Sequence, residues 1–216
     1  IPAGKPLRKT VARYKEIFII NTKLDRRRLS AEMENLKHDI KTVLITREQI
    51  AKRVREMGQQ ITKDYAGKEI VLVGILKGAM PFLCDLMREI DLPVILDTMV
   101  VSSYGDATTS SGLVKIKKDL DSDIRGRHVI VVEDIIDTGI TMAALTPILE
   151  KRGAASVELA IFLDKRERRE KEVNVKYIGY EIPDKFIVGY GCDYAQKYRN
   201  LPEICELDNK VFAQAK

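Results

Sequence analysis

Apolar residues recur along the chain at two spacings. Ile50, Val54, Met57, Ile61 and Tyr65 fall on one stripe of a 3.6-residue period. Thr46 and Gln49 precede them as a capping box, which predicts a helix over 46–66 that ends at Gly67. Residues 69–76 (EIVLVGIL) form instead a nearly unbroken β-branched and aliphatic run, as expected of a strand covered on both faces in a parallel sheet. The helical period returns over 80–90, where Leu83, Leu86, Met87 and Ile90 face inward and Pro81 occupies the tolerated first turn.

Residues 94–101 read as a further strand leading into 102–112 (SSYGDATTSSG), which lacks aliphatic side chains to bury and is therefore expected to be mobile. A return strand over 113–118 precedes 128–133 (HVIVVE), the strongest core-strand pattern in the chain. A helix over 141–152 stops at Gly153, and strands near 157–163, 175–180 and 186–189 follow. Such alternation predicts a doubly wound α/β domain with a mostly parallel sheet. The N-terminal part fits less well. Ile17 to Ile20 could form a short strand, and Leu29, Met33, Leu36 and Ile40 have helical spacing, but neither carries chemistry. Residues 1–37 are expected to be a basic extension packed on the domain or on a neighbouring subunit, with 38–216 as the domain itself.

At 216 residues and 45% hydrophobic content the chain can bury one substantial core. Its formal charge of +5 invites a nucleic-acid reading, yet 1–37 holds ten Lys or Arg against four acids, +6, which leaves the remainder at −1. No nucleic-acid partner is therefore expected. The three cysteines, Cys84, Cys192 and Cys205, show neither paired spacing nor a zinc pattern, so a reducing, cytoplasmic location is expected. No apolar run is long enough to span a bilayer, so no membrane is expected, and the first residues lack the apolar region of a secretory signal. Arg26 to Arg28 could belong to a transit peptide, but Asp25, Glu32 and Glu34 argue against one.

Residues 131–141 (VVEDIIDTGIT) concentrate the chemistry: a buried strand, two acids at its carboxyl end, then Asp-Thr-Gly-x-Thr opening a helix. The loop after a parallel strand faces the ligand crevice of α/β proteins, and the first-turn N–H groups of the next helix are free to bond an anion. Gly139 permits close backbone approach, and Thr138 and Thr141 add hydroxyl donors, which together describe a monophosphate cradle over Asp137, Thr138, Gly139, Ile140 and Thr141. Glu133 and Asp134 would lie just before it, placed for ribose hydroxyls or a bound Mg²⁺. Taken singly, Asp137, Thr138 and Gly139 could merely cap a helix; the combined string points to ligand binding.

This string resembles the phosphoribosyl pyrophosphate signature of type I phosphoribosyltransferases. Four segments in order, ILKGAMPF, SSYGDATTSSG, VVEDIIDTGIT and the pair FLDK with IPDKFIVGYGCDYAQKYRNLP, are similar to the hypoxanthine-guanine branch of that family over about 38–207. The resemblance implies a mostly parallel twisted sheet flanked by helices, a small hood subdomain and a flexible active-site loop. It implies transfer of the 5-phosphoribosyl group from phosphoribosyl pyrophosphate to N9 of hypoxanthine or guanine, with Mg²⁺ as cofactor and a homodimer or homotetramer as the assembly. Lys77 and Gly78 would bind pyrophosphate through backbone N–H groups, with a non-proline cis peptide expected at that step. Asp137 would act as general base toward N7 of the purine, and Lys165 would donate to its 6-oxo group. Phe186 would stack on the purine and Ile187 bond its edge. Asp193 is implied at the purine pocket and, with Glu133 and Asp134, at Mg²⁺, while Arg199 would grip pyrophosphate with its planar fork. Ser103 and Tyr104 would close over the reacting centre. Cys192, beside Asp193, is expected to make activity sensitive to oxidation.

Two other classes fit the sequence less well. A nucleotide-binding regulator on the same fold has only the basic arm in its favour, and a P-loop nucleotidase fails for want of a G-x-x-x-x-G-K-[ST] string.

Overall fold

The computed structural model describes residues 38–103 and 114–213, together with Leu36. These fall into two compact units, Thr42–Leu207 and a small one from the chain ends, 38–41 with 208–213. The readings for Ile17 to Ile20, for Leu29 and Met33, and for residues 104–112 lie outside the described residues.

The larger unit contains a six-stranded sheet in the order β4-β3-β2-β5-β6-β7. Its strands are β2 (Ile70–Ile75), β3 (Val94–Ser103), β4 (Val114–Lys118), β5 (His128–Ile136), β6 (Ser156–Asp164) and β7 (Tyr177–Glu181). All neighbouring pairs are parallel except β3 with β4, which run antiparallel. Successive residues of β2 and β5 enter opposite cores, as the two-residue period of a strand requires. Ile70, Leu72, Ile130 and Val132 pack in one, and Val71, Val73, Val129 and Val131 in the other.

Helices cover both faces. The capping box at Thr46 and Gln49 is formed and starts α1 (Arg47–Asp64), whose predicted stripe from Ile50 to Tyr65 is buried. Each such side chain contributes roughly 1.5–3 kcal/mol on burial. Helix α2 (Met80–Arg88), with Pro81 in its first turn, joins α1 on that face through Phe82, Leu83 and Leu86. Helix α3 (Ile140–Lys151) covers the other face with Met142, Leu145 and Leu149.

A second, three-stranded sheet has the order β1-β9-β8, with β1 (Ile40–Ile45), β8 (Ile187–Val188) and β9 (Ile204–Leu207). Neither β1 nor β9 is predicted by the sequence pattern. Ile40, read there as part of a helical stripe, instead begins a strand. In the small unit, α4 (Asn209–Ala213) follows Asp208, whose N–H donates to the Asp39 carbonyl at 2.8 Å. Among the described residues no helix is long and apolar enough to cross a membrane.

Candidate active site

The strand order reverses between β2 and β5. From β2 the chain proceeds to β3 on one side, and from β5 to β6 on the other, so a crevice opens between the carboxyl ends of β2 and β5. Residues 76–79 leave β2 there, and residues 137–139 leave β5. The non-proline cis bond joins Leu76 to Lys77, one bond before the Lys77-Gly78 step where it is expected.

Strand β5 runs three residues past the predicted end at Glu133. Glu133 and Asp134 therefore belong to the strand, still hydrogen-bonded alongside β6 through the Glu133–Ile161 pairing. The following loop turns at Gly139, whose φ of 80° suits glycine, and α3 begins at Ile140. A β-carbon at residue 139 would lie 2.3 Å from the Lys171 carbonyl oxygen. Close packing demands the glycine as firmly as the turn does. Among the described residues, the N–H groups of Thr138, Gly139 and Thr141 have no protein acceptor, while Ile140 N–H reaches the Thr138 hydroxyl at 3.4 Å. These amides border a cavity of about 260 Å³ lined also by Glu133, Asp137 and Met142.

A second cavity, about 210 Å³, shares Ile135 and Asp137 with the first and is completed by Asp134, Lys165, Arg168, Phe186, Ile187, Cys192 and Asp193. Phe186 is 43% exposed and meets Tyr194 edge-on at 5.4 Å between ring centres. Lys165 is only 6% exposed, although it opens the charged run KRERREKE. Its Nζ lies 3.7 Å from Asp137 Oδ1 and 3.8 Å from Asp184 Oδ1, near enough to balance a buried ammonium and too far for a hydrogen bond. Asp137 Oδ1 is enclosed and without a hydrogen-bond partner among the described residues. It is held in reserve at the junction of the two cavities.

Glu133 Oε2 is likewise enclosed and unpartnered. Burial, then the neighbouring Asp134, pushes the Glu133 carboxyl well above its ordinary range. Burial also raises Asp134, opposed by the Cys192 thiol, main-chain N–H groups and Arg199. Two adjacent carboxyls forced toward neutrality are what a cation would relieve, so the pair fits Mg²⁺. Among the described residues no three His, Cys, Asp or Glu converge as a cage. Mg²⁺ ordinarily takes one or two carboxylates and completes its shell with substrate phosphates and water.

Gly78 packs directly on Asp134: a β-carbon there would lie 1.9 Å from Asp134 Oδ2. Opposite, Arg199 donates from Nη1 to the Gly191 carbonyl at 2.7 Å, and its Nη2 meets Asp193 Oδ1 at 2.6 Å. Asp193 Oδ2 accepts the Gln196 N–H at 2.8 Å, and Gln196 Oε1 accepts from Lys77 Nζ at 3.3 Å. Lys77, Asp193 and Arg199, distant in sequence, are thus tied into one polar cluster through Gln196. Gln196, Asp184 and Arg168 carry no sequence signal. Cys192 donates its thiol to Asp134 Oδ2 at 3.5 Å. Burial and the adjacent carboxyls push that thiol well above its ordinary value, so the reactive thiolate is scarce and the expected sensitivity to oxidation is not supported. Ser103 ends β3, whereas Tyr104 lies outside the described residues. A larger cavity of about 490 Å³ opens beside Ile50, Val54 and Tyr190, and none of these ligand-facing groups lines it.

A mostly parallel sheet with an anion-ready helix start at its switch point, flanked by carboxylates, is an α/β arrangement suited to holding a phosphorylated ligand. The sequence matches the phosphoribosyl transferase domain over residues 44–195, and the chain belongs to that family. Within it, the chain is 49% identical over 178 residues to the hypoxanthine-guanine phosphoribosyltransferase of Streptococcus pneumoniae strain R6, covering 82% of this chain and 99% of that protein. Its identity to the Bacillus subtilis enzyme of the same name is 46% over 177 residues, 82% of this chain and 98% of that one. The crystal structure of a hypoxanthine phosphoribosyltransferase from Staphylococcus aureus superposes with a TM-score of 0.79 at 46% identity, over 82% of this chain and 96% of that chain.

Proposed function

We propose that this chain is a purine-salvage hypoxanthine-guanine phosphoribosyltransferase, moving the 5-phosphoribosyl group of phosphoribosyl pyrophosphate onto N9 of hypoxanthine or guanine to give IMP or GMP and pyrophosphate. The observation that carries the reading is the position of Asp137, whose enclosed, unpartnered oxygen stands where the anion-binding cavity meets the one holding Lys165 and Phe186.

The 5-phosphate lies on the amides of Thr138, Gly139 and Thr141, with Ile140 continuing the cradle. The purine enters the second cavity, stacks on exposed Phe186 and meets the main chain of Ile187. Lys165 carries donors only, which suits a 6-oxo group and not the amino group of adenine. As N9 bonds to the anomeric carbon, the bond from that carbon to the pyrophosphate oxygen breaks, and the N7 proton passes to Asp137. The purine grows more acidic as the new bond forms, which favours that transfer. Lys77, Gly78 and Arg199 receive the departing pyrophosphate. Glu133 and Asp134 would hold Mg²⁺, which when bound neutralises charge on the leaving group, while Asp193, the third carboxylate the resemblance implies, would join them only on release from Arg199 and Gln196. Ser103 and Tyr104 belong to the loop proposed to exclude water from the reacting carbon.

We further propose 1–37 as an extension to a domain spanning 38–216, small-molecule substrates without nucleic acid, a homodimer or homotetramer, and a cytoplasmic location, the last supported by three free cysteines. The test is nucleotide formation from phosphoribosyl pyrophosphate with each purine in turn, with and without Mg²⁺. Hypoxanthine and guanine should react in the presence of Mg²⁺ and adenine should not. No nucleotide from any 6-oxopurine with Mg²⁺ present would overturn the proposal.

A further inference from the structure

Two successive carbonyl groups of the proposed phosphate loop are taken up by a single segment, 165–171, which begins at Lys165 and passes through a short 3-10 turn, Arg166–Arg168. The Thr138 carbonyl accepts the N–H groups of Glu170 and Lys171, each at 2.9 Å. The Asp137 carbonyl accepts Nε–H of Arg169 at 3.2 Å. In a trans peptide the C=O and the N–H of the next residue point in opposite directions. Fixing the Asp137 carbonyl outward therefore aims the Thr138 N–H into the cavity, and fixing the Thr138 carbonyl does the same for the Gly139 N–H.

The second of these planes is held by main chain, but the first depends on one side chain. Arg169 is anchored accordingly. Its side chain is 9% exposed, and its Nη2 pairs with Oδ1 of Asp164, whose side chain is 1% exposed. The other oxygen of Asp164 faces Arg166 Nε at 3.4 Å. Asp164 ends β6, so the guanidinium is fixed to the sheet and not to the loop it steadies. A buried ion pair adds little net stability over well-packed apolar side chains, and stability alone gives weak grounds for one here. A planar fork that spans two acceptors at once is a property of arginine that lysine lacks.

We infer that Arg169 is a positioning residue: by holding the Asp137 carbonyl against the end of β6 it aims the Thr138 amide at the 5-phosphate. The inference rests on reading this loop as a phosphate cradle.

Calorimetric titration of the full chain with ribose 5-phosphate, and separately with Mg²⁺-pyrophosphate, tests it. Arg169→Met should weaken ribose 5-phosphate binding about tenfold, equivalent to roughly 1.4 kcal/mol, on the scale of one hydrogen bond to a charged group. Pyrophosphate binding should stay within about twofold of wild type, since its groups lie outside the cradle. Arg169→Lys, which keeps the charge and loses the fork, should show the same split to a lesser degree, and serves alone if the Met variant does not fold. The Thr138 amide ¹⁵N–¹H resonance should move in either variant. Equal loss of both ligands means a general structural role and overturns the inference, as does unchanged ribose 5-phosphate affinity. Nucleotide synthesis by the wild type is measured alongside. An inactive wild type removes the enzymatic reading, whereas an active wild type with normal sugar-phosphate binding in the variants removes only the role of Arg169.

Discussion

Asp137 and Lys165 form a charge pair that stops short of a hydrogen bond, 3.7 Å apart. The arrangement sets a counter-charge beside a buried lysine and leaves the carboxylate oxygen without a hydrogen-bond partner among the described residues. Asp137→Asn preserves shape and removes the acceptor. Its turnover with hypoxanthine should fall about 10²- to 10⁴-fold, the usual worth of a placed acid or base, while the KM for phosphoribosyl pyrophosphate changes only a few-fold. Steady-state kinetics decide the matter, and turnover near the wild-type rate would remove Asp137 from proton transfer. Asp137 was legible in the sequence because the cradle is a contiguous string on a recognisable strand and helix. Arg169 was not, because it lies in KRERREKE, where every residue looks equally solvated. Only the tertiary placement of Asp164 shows that this arginine, like Lys165 at the start of the run, is drawn inside.

Among the elements, the approach of two loops shapes the side of the site proposed to take pyrophosphate. A β-carbon on Gly191 would lie 2.0 Å from the Gly78 carbonyl oxygen, and its φ of 102° is one that side chains rarely adopt. Gly191→Ala should therefore cost at least about 2 kcal/mol of stability, backbone strain and collision together. The urea midpoint would report it, and a midpoint equal to wild type would contradict the tight seating of the two loops. Most strands and helices of the main sheet followed from periodicity, with shifted ends. Strand β9 escaped for a physical reason: all four of its residues are buried, but Glu206 interrupts its apolar pattern. Glu206 is tolerated inside because Lys185 reaches it at 2.7 Å, a partner that periodicity cannot reveal. The extension of β5 past Glu133 was missed similarly, since acids inside a core strand make sense only beside a cavity.

At the scale of the whole molecule, Glu133 and Asp134 link the site to stability. Burial raises both above their ordinary values, Glu133 the more, so the folded chain holds protons that the unfolded chain has released. Stability must then fall as pH rises from the ordinary carboxylate value through the raised ones. Asp97, held below its ordinary value by main-chain N–H groups and Lys118 against the effect of burial, acts oppositely: its contribution is lost as pH falls. Glu133→Gln isolates the first effect. Without Mg²⁺ the variant should match wild type near pH 4 and be the more stable of the two at neutral and higher pH, where the unfolded carboxyl of wild type is ionised and the folded one resists ionisation. Thermal melts across that range give the answer, and parallel curves would mean that Glu133 is better solvated than its enclosure implies.

The two sheets carry different halves of the proposed site. The proposed sugar-phosphate grip lies where β5 passes into α3, at the centre of the large sheet, while Ile187 begins β8 in the small one and Phe186 immediately precedes it. Replacing residues around β8 can therefore alter which heterocycle is accepted without disturbing the grip, and a lineage exploring new bases would be free to vary that edge while the frame beneath it stays fixed.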